Sequence, residues 1–321
     1  MTRDRRGYRD GVRARDLPTW REAWSTALYG PAGFFRRERP GDHFRTSVHA
    51  SPLFAQALLA LARRERLTAL TDVGAGGGEL LAHLHAMAPG ELDLLGVEFA
   101  SRPPGLAAAV RWREDFPGEL DGLVVANEWL DNIPCDVVEA DDEGVARYVH
   151  VDPATGDEAL GQACRETWLA QWWPLTGRGT RAEVGSARDR AWADVTRRLR
   201  RGRAGIAVAV DYGHTRETRP AYGSLAAYQH GRQVPVVPDG SRDITAHVAL
   251  DSLGGYRTDQ RTALLALGVA GSRPPVEQAH EDPAGYVAGL SRAGEAAELT
   301  DPDGLGGFCW VSTRPLFGDE A

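Results

Sequence analysis

The chain has 321 residues, 42% of them hydrophobic and 26% charged, with a formal net charge of −8. That length buries a core without disulfide or metal staples, and the acidic balance counts against nonspecific nucleic-acid binding while leaving room for a cationic substrate. All 37 residues counted as Lys or Arg are arginine, which excludes Schiff-base and pyridoxal-phosphate chemistry and a Walker-A phosphate loop, since each needs a lysine.

The three cysteines, Cys135, Cys164 and Cys309, are far apart and lack metal-ligand spacing. We therefore expect no metal site and a reducing, cytoplasmic setting. No apolar run approaches the ~20 residues of a membrane span. The charged N-terminus, MTRDRRGYRDGVRARD, has no apolar h-region and carries Asp4, Asp10 and Asp16, so it reads as a solvated tail rather than a targeting segment.

In chain order, PTWREAWSTALYGPAGFF predicts an amphipathic helix ending at Gly30-Pro31. SPLFAQALLALARRERL predicts a second helix, with Ser51 at the N-cap and Pro52 in the first turn. LTALTDVG then reads as a strand, GELLAHLHAMA as a helix, and DLLGVEF, AAAVRWRE and DGLVVANE as strands. This alternation predicts an α/β fold with a mostly parallel, doubly wound sheet. CDVVEAD and GVARYVHVD alternate around Asp142-Glu143-Gly144 and predict a β-hairpin, followed by a helical stretch over roughly 158–202.

GIAVAVDYG resumes the sheet, and RTALLALGV and GGFCWVST predict one more helix and a final strand. The expected organisation is an N-terminal tail and helical segment over 1–66 and a first half-core over 67–134. An inserted hairpin and helical cap over 135–202 and a second half-core over 203–321 complete it. The hairpin at 135–152 offers an edge through which two copies could pair as a homodimer.

TDVGAGGGELL joins a strand to a helix, so Gly74, Gly76 and Gly78 form G-x-G-x-G. Such a loop lets the backbone approach a ligand closely, and the helix N-terminus favours a carboxylate or phosphate. Glu98 ends the next strand and suits the two hydroxyls of a ribose. Asp115, after AAAVRWRE, adds an acceptor for an adenine amino group. A dinucleotide would require glycine where Glu79 stands, and a carboxylate there repels a pyrophosphate. S-adenosyl-L-methionine has no phosphate and escapes that conflict; NAD is the disfavoured alternative.

The loop VGAGGGEL, then GVEFAS, LVVANEWLDNIP and VDYG, in that order, resemble the MidA family of S-adenosylmethionine-dependent methyltransferases. ALYGPAGFF, YGSLAAYQHGR and DITAHVALDSLG extend the likeness over roughly 20–310. The resemblance implies a Rossmann-like class I methyltransferase fold: a seven-stranded, mostly parallel sheet, an N-terminal helical segment and an inserted substrate region. It further implies methylation of an arginine on a partner protein. Gly74, Gly76, Gly78, Glu98 and Thr46 would hold the cofactor, and Asn127, Glu128 and Asp131 would form the substrate-facing turn. The family has an Arg and a Thr or Ser where Gly77 and Gly78 stand, and a Glu where this chain has His49.

An arginine nucleophile stays protonated, and carboxylates can orient it by charge-assisted hydrogen bonds. Glu128 is the expected clamp and Asp131 the second acid, while Asn127 either binds the nucleophile or braces the turn. An Asx-turn with helix N-cap is the alternative for the same residues. Trp129 reads as core packing before a cation–π wall, and His214 as a base or a loop histidine. Asp243 and Thr245 read first as helix caps. His83 and His85 face different sides of their helix and make no metal pair. Methylation of a small molecule at N or O, or a catalytically weak cofactor-binding assembly factor, are the alternative functions.

Overall fold

The computed structural model describes residues 14–38, 46–202 and 205–317; the expectation of a solvated N-terminal tail falls largely outside them, on residues 1–13. Helix α1 (Trp20–Tyr29) opens on a capping box between Thr19 and Glu22 and ends at Gly30, where the sequence places its stop. Two single turns follow, α2 (Phe34–Arg37) and α3 (Ser47–Ala50). Helix α4 (Pro52–Arg64) starts as predicted: Pro52 lies in the first turn and the Leu53 N–H donates to Ser51 Oγ at 3.0 Å.

The predicted alternation then appears as β1 (Ala69–Val73), α5 (Glu79–Met87), β2 (Asp93–Val97), β3 (Arg111–Arg113) and β4 (Gly122–Asn127). Next come β5 (Asp136–Ala140), β6 (Ala146–Val151), β7 (Glu158–Ala163), α6 (Thr167–Trp172), β8 (Arg181–Val184) and α7 (Ser186–Arg201). β9 (Gly205–Asp211) precedes five short strands: β10 (Gly213–His214), β11 (Ala226–Gln229), β12 (Arg232–Val234), β13 (Asp243–Thr245) and β14 (Val248–Ala249). The chain closes with β15 (Tyr256–Asp259), α8 (Gln260–Ala266), α9 (Gln278–Glu281), α10 (Pro283–Leu299) and β16 (Cys309–Ser312).

Contacts divide the chain into two units, the first holding the described residues of 1–44, 130–194 and 213–254, the second those of 45–129, 195–212 and 255–321. The second unit carries a seven-stranded sheet in the order β15-β16-β9-β4-β1-β2-β3. Strands β3, β2, β1, β4 and β9 are mutually parallel, and β16 runs antiparallel between β9 and β15. This is the class I methyltransferase sheet that the resemblance implies. All six residues of β4 are buried, as a central strand covered on both faces requires. Phe54, Leu58 and Leu61 of α4, Leu80, Leu81 and Leu84 of α5, and Trp310 of β16 fill the core against Leu70, Leu123 and Val208. Each such side chain contributes roughly 1.5–3 kcal/mol through burial.

The first unit has a four-stranded antiparallel sheet, β7-β6-β5-β8, and a three-stranded one, β12-β11-β13. The expected β5–β6 hairpin is present, but both its outer edges are taken, one by β7 and one by β8. No hairpin edge remains for the pairing of two copies suggested above. The helical reading of 158–202 holds only for α6 and α7. Residues 158–163 form β7 because Glu158 accepts both arms of the Arg181 guanidinium, at 2.7 and 2.8 Å, and the Trp20 indole N–H at 2.6 Å. Gly161 fits against the His150 ring, where a Cβ would come within 2.5 Å. Tertiary partners thus override the helix preference of an Ala-rich segment.

Asp243 and Thr245 belong to strand β13, so neither caps a helix. The tail holds more than the sequence suggested. β15 and the 17-residue α10 were missed, although Asp282 caps α10 by accepting the Gly285 N–H and Pro283 sits in its first turn. Its run of Ala and Gly weakened the apolar periodicity. Among the described residues no helix is long and apolar enough to cross a membrane.

Ser51→Ala removes the α4 cap and the Ser51 Oγ–H donation to Glu295 at 2.6 Å. We expect it to cost about 1–2 kcal/mol in denaturant unfolding; an unchanged unfolding midpoint would refute the assignment of this cap.

Candidate active site

Strands β1, β2 and β4 run in register, with Val73 opposite both Val97 and Ala126, so their carboxyl ends meet at one edge of the second unit. The glycine loop leaves that edge. Gly74 has φ +72°, donates its N–H to Val97 O at 2.9 Å, and lies under Trp129, where a Cβ would meet Cδ1 at 2.6 Å. Any side chain at 74 would be strained and would displace the indole. Trp129 thus packs on the loop, with its edge toward the Phe116 ring at 6.2 Å. Gly76 also has positive φ, and Gly78 forms the N-cap of α5.

Glu98, just past β2, accepts the Gly76 N–H at 2.9 Å on one oxygen and the Ala100 N–H at 3.0 Å on the other. Burial pushes its carboxyl above the usual carboxylate range despite these donors. Asp72, an acid inside the buried strand β1, was not anticipated. It is 4% exposed, and burial, then the charges of Glu98 and Glu79, raise it from 3.8 to about 8. Its signal was the carboxylate two residues before Gly74 in ALTDVG. Three acids therefore surround a loop of backbone amides, which suits a cationic sulfonium better than a pyrophosphate.

Thr46, the N-cap residue of α3, does not cap with its side chain but places Oγ1 2.6 Å from His49 Nδ1. His49 Nε2 lies 3.5 Å from Glu79 Oε1. The Glu79 carboxylate folds back over the loop, where a Cβ on Gly77 would be only 2.1 Å from Oε1. Burial pushes the Glu79 carboxyl up, but His49, its own N–H and the Gly77 N–H outweigh this and hold it below the usual range. Asp115 is exposed on the loop after β3. Arg198 steadies that loop by donating to Pro117 O at 2.7 Å and covering the Phe116 ring.

Asn127 ends β4 and Glu128 follows with φ +50°, a left-handed backbone rare for a residue with a side chain. Glu128 Oε1 accepts the Ser47 N–H at 3.0 Å and the Asn127 Nδ2–H at 3.1 Å. A buried chain supports Ser47: Trp310 Nε1–H donates to Gln260 Oε1, and Gln260 Nε2–H donates to Ser47 Oγ. With Nδ2 donating to Glu128, Asn127 Oδ1 is the remaining acceptor; it is buried and has no hydrogen-bond partner.

The chain passes from the second unit to the first between Trp129 and Leu130, so Glu128 and Asp131 belong to different units. Within the first unit Asp131 is 4% exposed and accepts Thr245 Oγ1–H at 2.7 Å. Asn132 Nδ2–H donates to Asp243 Oδ1 at 3.0 Å, and the Trp24 indole N–H donates to Ile244 O. Burial, then the nearby Asp131, push the Asp243 carboxyl well above its usual range. Arg188, 2% exposed, donates to the carbonyls of Asp131, Ile133 and His247.

The D-I-T-A-H stretch is therefore the brace of the Asp131 half of the acidic turn. Its pairing with a segment more than a hundred residues away left no local signal. His214 accepts Arg219 Nη1–H on Nδ1 at 2.6 Å; burial and then Arg219 lower it to about 3, which removes it as a base at neutral pH. Among the described residues no group of three or more His, Cys, Asp or Glu side chains is arranged to hold a metal ion.

Asp72 yields a pH prediction. A carboxyl raised from 3.8 to about 8 holds its proton more tightly when folded. Its contribution to stability is full below pH ~4 and is lost as pH rises through about 8. Asp72→Asn should flatten the fall of melting temperature across that window. An identical pH slope in the variant would show that Asp72 does not hold its proton.

The chain matches, over residues 85–265, a family described as "Putative S-adenosyl-L-methionine-dependent methyltransferase". Comparison with curated proteins gave no match. Among solved structures it is similar to a superfamily member from Burkholderia thailandensis bound to S-adenosyl-homocysteine. The two share 26% identity, with 92% of this chain and 87% of that chain covered and a TM-score of 0.73. A native structure of a protein of the same superfamily and organism gives the same identity and coverage with a TM-score of 0.74. The matched segment is more than half of the 321 residues, and the chain belongs to this family of S-adenosyl-L-methionine-dependent methyltransferases, in line with the MidA resemblance.

Proposed function

We propose that this methyltransferase methylates an N–H nucleophile, and that its acceptor is an arginine of a partner protein. The observation that carries the reading is the buried acceptor Asn127 Oδ1, left without a partner beside the anchored Glu128 carboxylate. A buried acceptor of that kind costs about 1–3 kcal/mol unless a donor arrives. A guanidinium brings five N–H donors in one plane and a fixed positive charge.

The bound cofactor supplies an electrophilic methyl group on its sulfonium. Gly74, Gly76 and Gly78 would line its amide cradle, Glu98 would take the ribose hydroxyls, Asp115 the adenine amino group, and Thr46 would close the loop side. The S-adenosyl-homocysteine bound to the Burkholderia relative supports S-adenosyl-L-methionine as the ligand. In-line displacement needs the nucleophile at near-attack distance. Glu128 would orient the guanidinium, draw its positive charge onto the nitrogens that do not attack, and take up the proton that the methylated nitrogen releases as the C–S bond breaks and S-adenosyl-homocysteine leaves. Asn127 Oδ1 would accept an N–H and aim the attacking nitrogen. Asp131, held by Thr245, would set the far half of the turn rather than touch the acceptor. The free cysteines agree with work in a reducing cytoplasm.

Radiolabelled methyl transfer into a lysate of the source organism should place label in methylarginine after hydrolysis. Label confined to small molecules would replace the protein acceptor with a metabolite. Glu128→Gln should leave cofactor affinity within about twofold while lowering transfer by about 100-fold or more; full transfer by this variant would dismiss Glu128 as the clamp.

A further inference from the structure

His49 and Glu79 form a half-exposed pair of opposite potential charge at the glycine loop, with side chains 23% and 31% exposed. Their 3.5 Å separation is longer than a normal hydrogen bond. Each is oriented from behind. His49 Nδ1 is engaged by the Thr46 hydroxyl, which turns Nε2 toward the loop. Glu79 is held by its own N–H and that of Gly77, and its proton affinity is lowered accordingly. The Glu79 carboxylate occupies the space over Gly77, so the loop already contains an anion supplied by the chain.

A second anion arriving there would meet repulsion from Glu79 but an N–H donor on His49, and a cation would meet attraction from Glu79. A ligand group carrying both charges on one carbon satisfies the two together. The amino-acid end of S-adenosyl-L-methionine, with its α-ammonium and α-carboxylate, is such a group.

We propose that His49 and Glu79 are the specificity-determining pair for the cofactor's amino-acid end: Glu79 receives the α-ammonium, and Nε2–H of His49 donates to the α-carboxylate. The ligand's ammonium thus gains the Glu79 carboxylate and its carboxylate gains the His49 N–H donor, so neither ligand charge is left buried alone. Thr46 is a positioning residue for His49. The inference rests on S-adenosyl-L-methionine as the cofactor and is independent of the identity of the methyl acceptor.

Calorimetric titration of the full-length protein with four ligands tests it: S-adenosyl-L-methionine, S-adenosyl-homocysteine, decarboxylated S-adenosyl-L-methionine and 5′-methylthioadenosine. His49→Ala should weaken the two carboxylate-bearing ligands by about tenfold or more and leave the other two unchanged. His49→Gln, which keeps an N–H donor, should recover part of that loss. Glu79→Gln should weaken the three ammonium-bearing ligands and spare 5′-methylthioadenosine. Unchanged binding of 5′-methylthioadenosine by a variant reports an intact fold and nucleoside site. Equal weakening of all four ligands, or no change in any, would overturn the proposal. Failure of the wild-type protein to bind any of the four would overturn the cofactor along with it.

Discussion

The buried central strand β4 is the constraint on which the active-site edge depends. Its six residues, Gly122 to Asn127, are covered on both faces and paired in parallel with β1 and β9. A slip by one residue would exchange the environments of every side chain, so the register is rigid. The strand must therefore deliver Asn127 as its last paired residue, and Glu128 must turn away from the sheet. It does so with φ +50°, a conformation that costs a non-glycine residue on the order of 1–3 kcal/mol. The Glu128 N–H donation to Val210 O and the Ser47 and Asn127 donors on Oε1 offset that strain. A carboxylate fixed this way needs no reorganisation to meet a cation, and fixed charge is what makes an active site effective.

Charge at the same edge follows a second rule: acids are gathered, and arginines are kept for other work. Asp72, Glu79 and Glu98 share the neighbourhood of the glycine loop, and two of them are driven toward protonation by burial. A positively charged ligand relieves that tension, whereas a phosphate would increase it. The most deeply buried arginine among the described residues of the first unit, Arg188, donates to backbone carbonyls and lies near the Trp24 ring at 5.7 Å. Its delocalised cation suits a site built from carbonyl oxygens and an aromatic face, where a lysine would supply fewer directed donors. Arg188 thus acts as an internal strut that holds the Asp131–Ile133 backbone. Thr245 and Asp243 hold the adjoining side chains.

The strands β1, β2, β4 and β9 were legible because they are short, largely apolar runs closed by polar residues, and because Gly74, Gly76 and Glu98 stand where such a sheet presents its ligand. Helix α4 was legible from Ser51, Pro52 and its apolar stripe. Those signals are local: each depends on residues within one or two turns of one another. The carboxylates of the ANEWLDNIP turn could likewise be placed at a strand end from their neighbours alone.

What the local pattern could not carry were partnerships across long stretches of chain. β7 is a strand because Arg181 and Trp20 meet Glu158, not because of its own residues. Asp243 and Thr245 look like caps in isolation, and become braces once β13 lies against the Asp131 turn. Asp72 reads as one more polar residue until burial on both sheet faces raises its proton affinity. The amino-acid order was sufficient for the parallel strands of the sheet, the glycine loop and the acid at the end of β4, since hydrophobic patterning and turn chemistry act over short distances. Folding decided the partners of Glu128, Asp131, His49 and Glu79, because hydrogen bonding and desolvation depend on which distant groups are brought together.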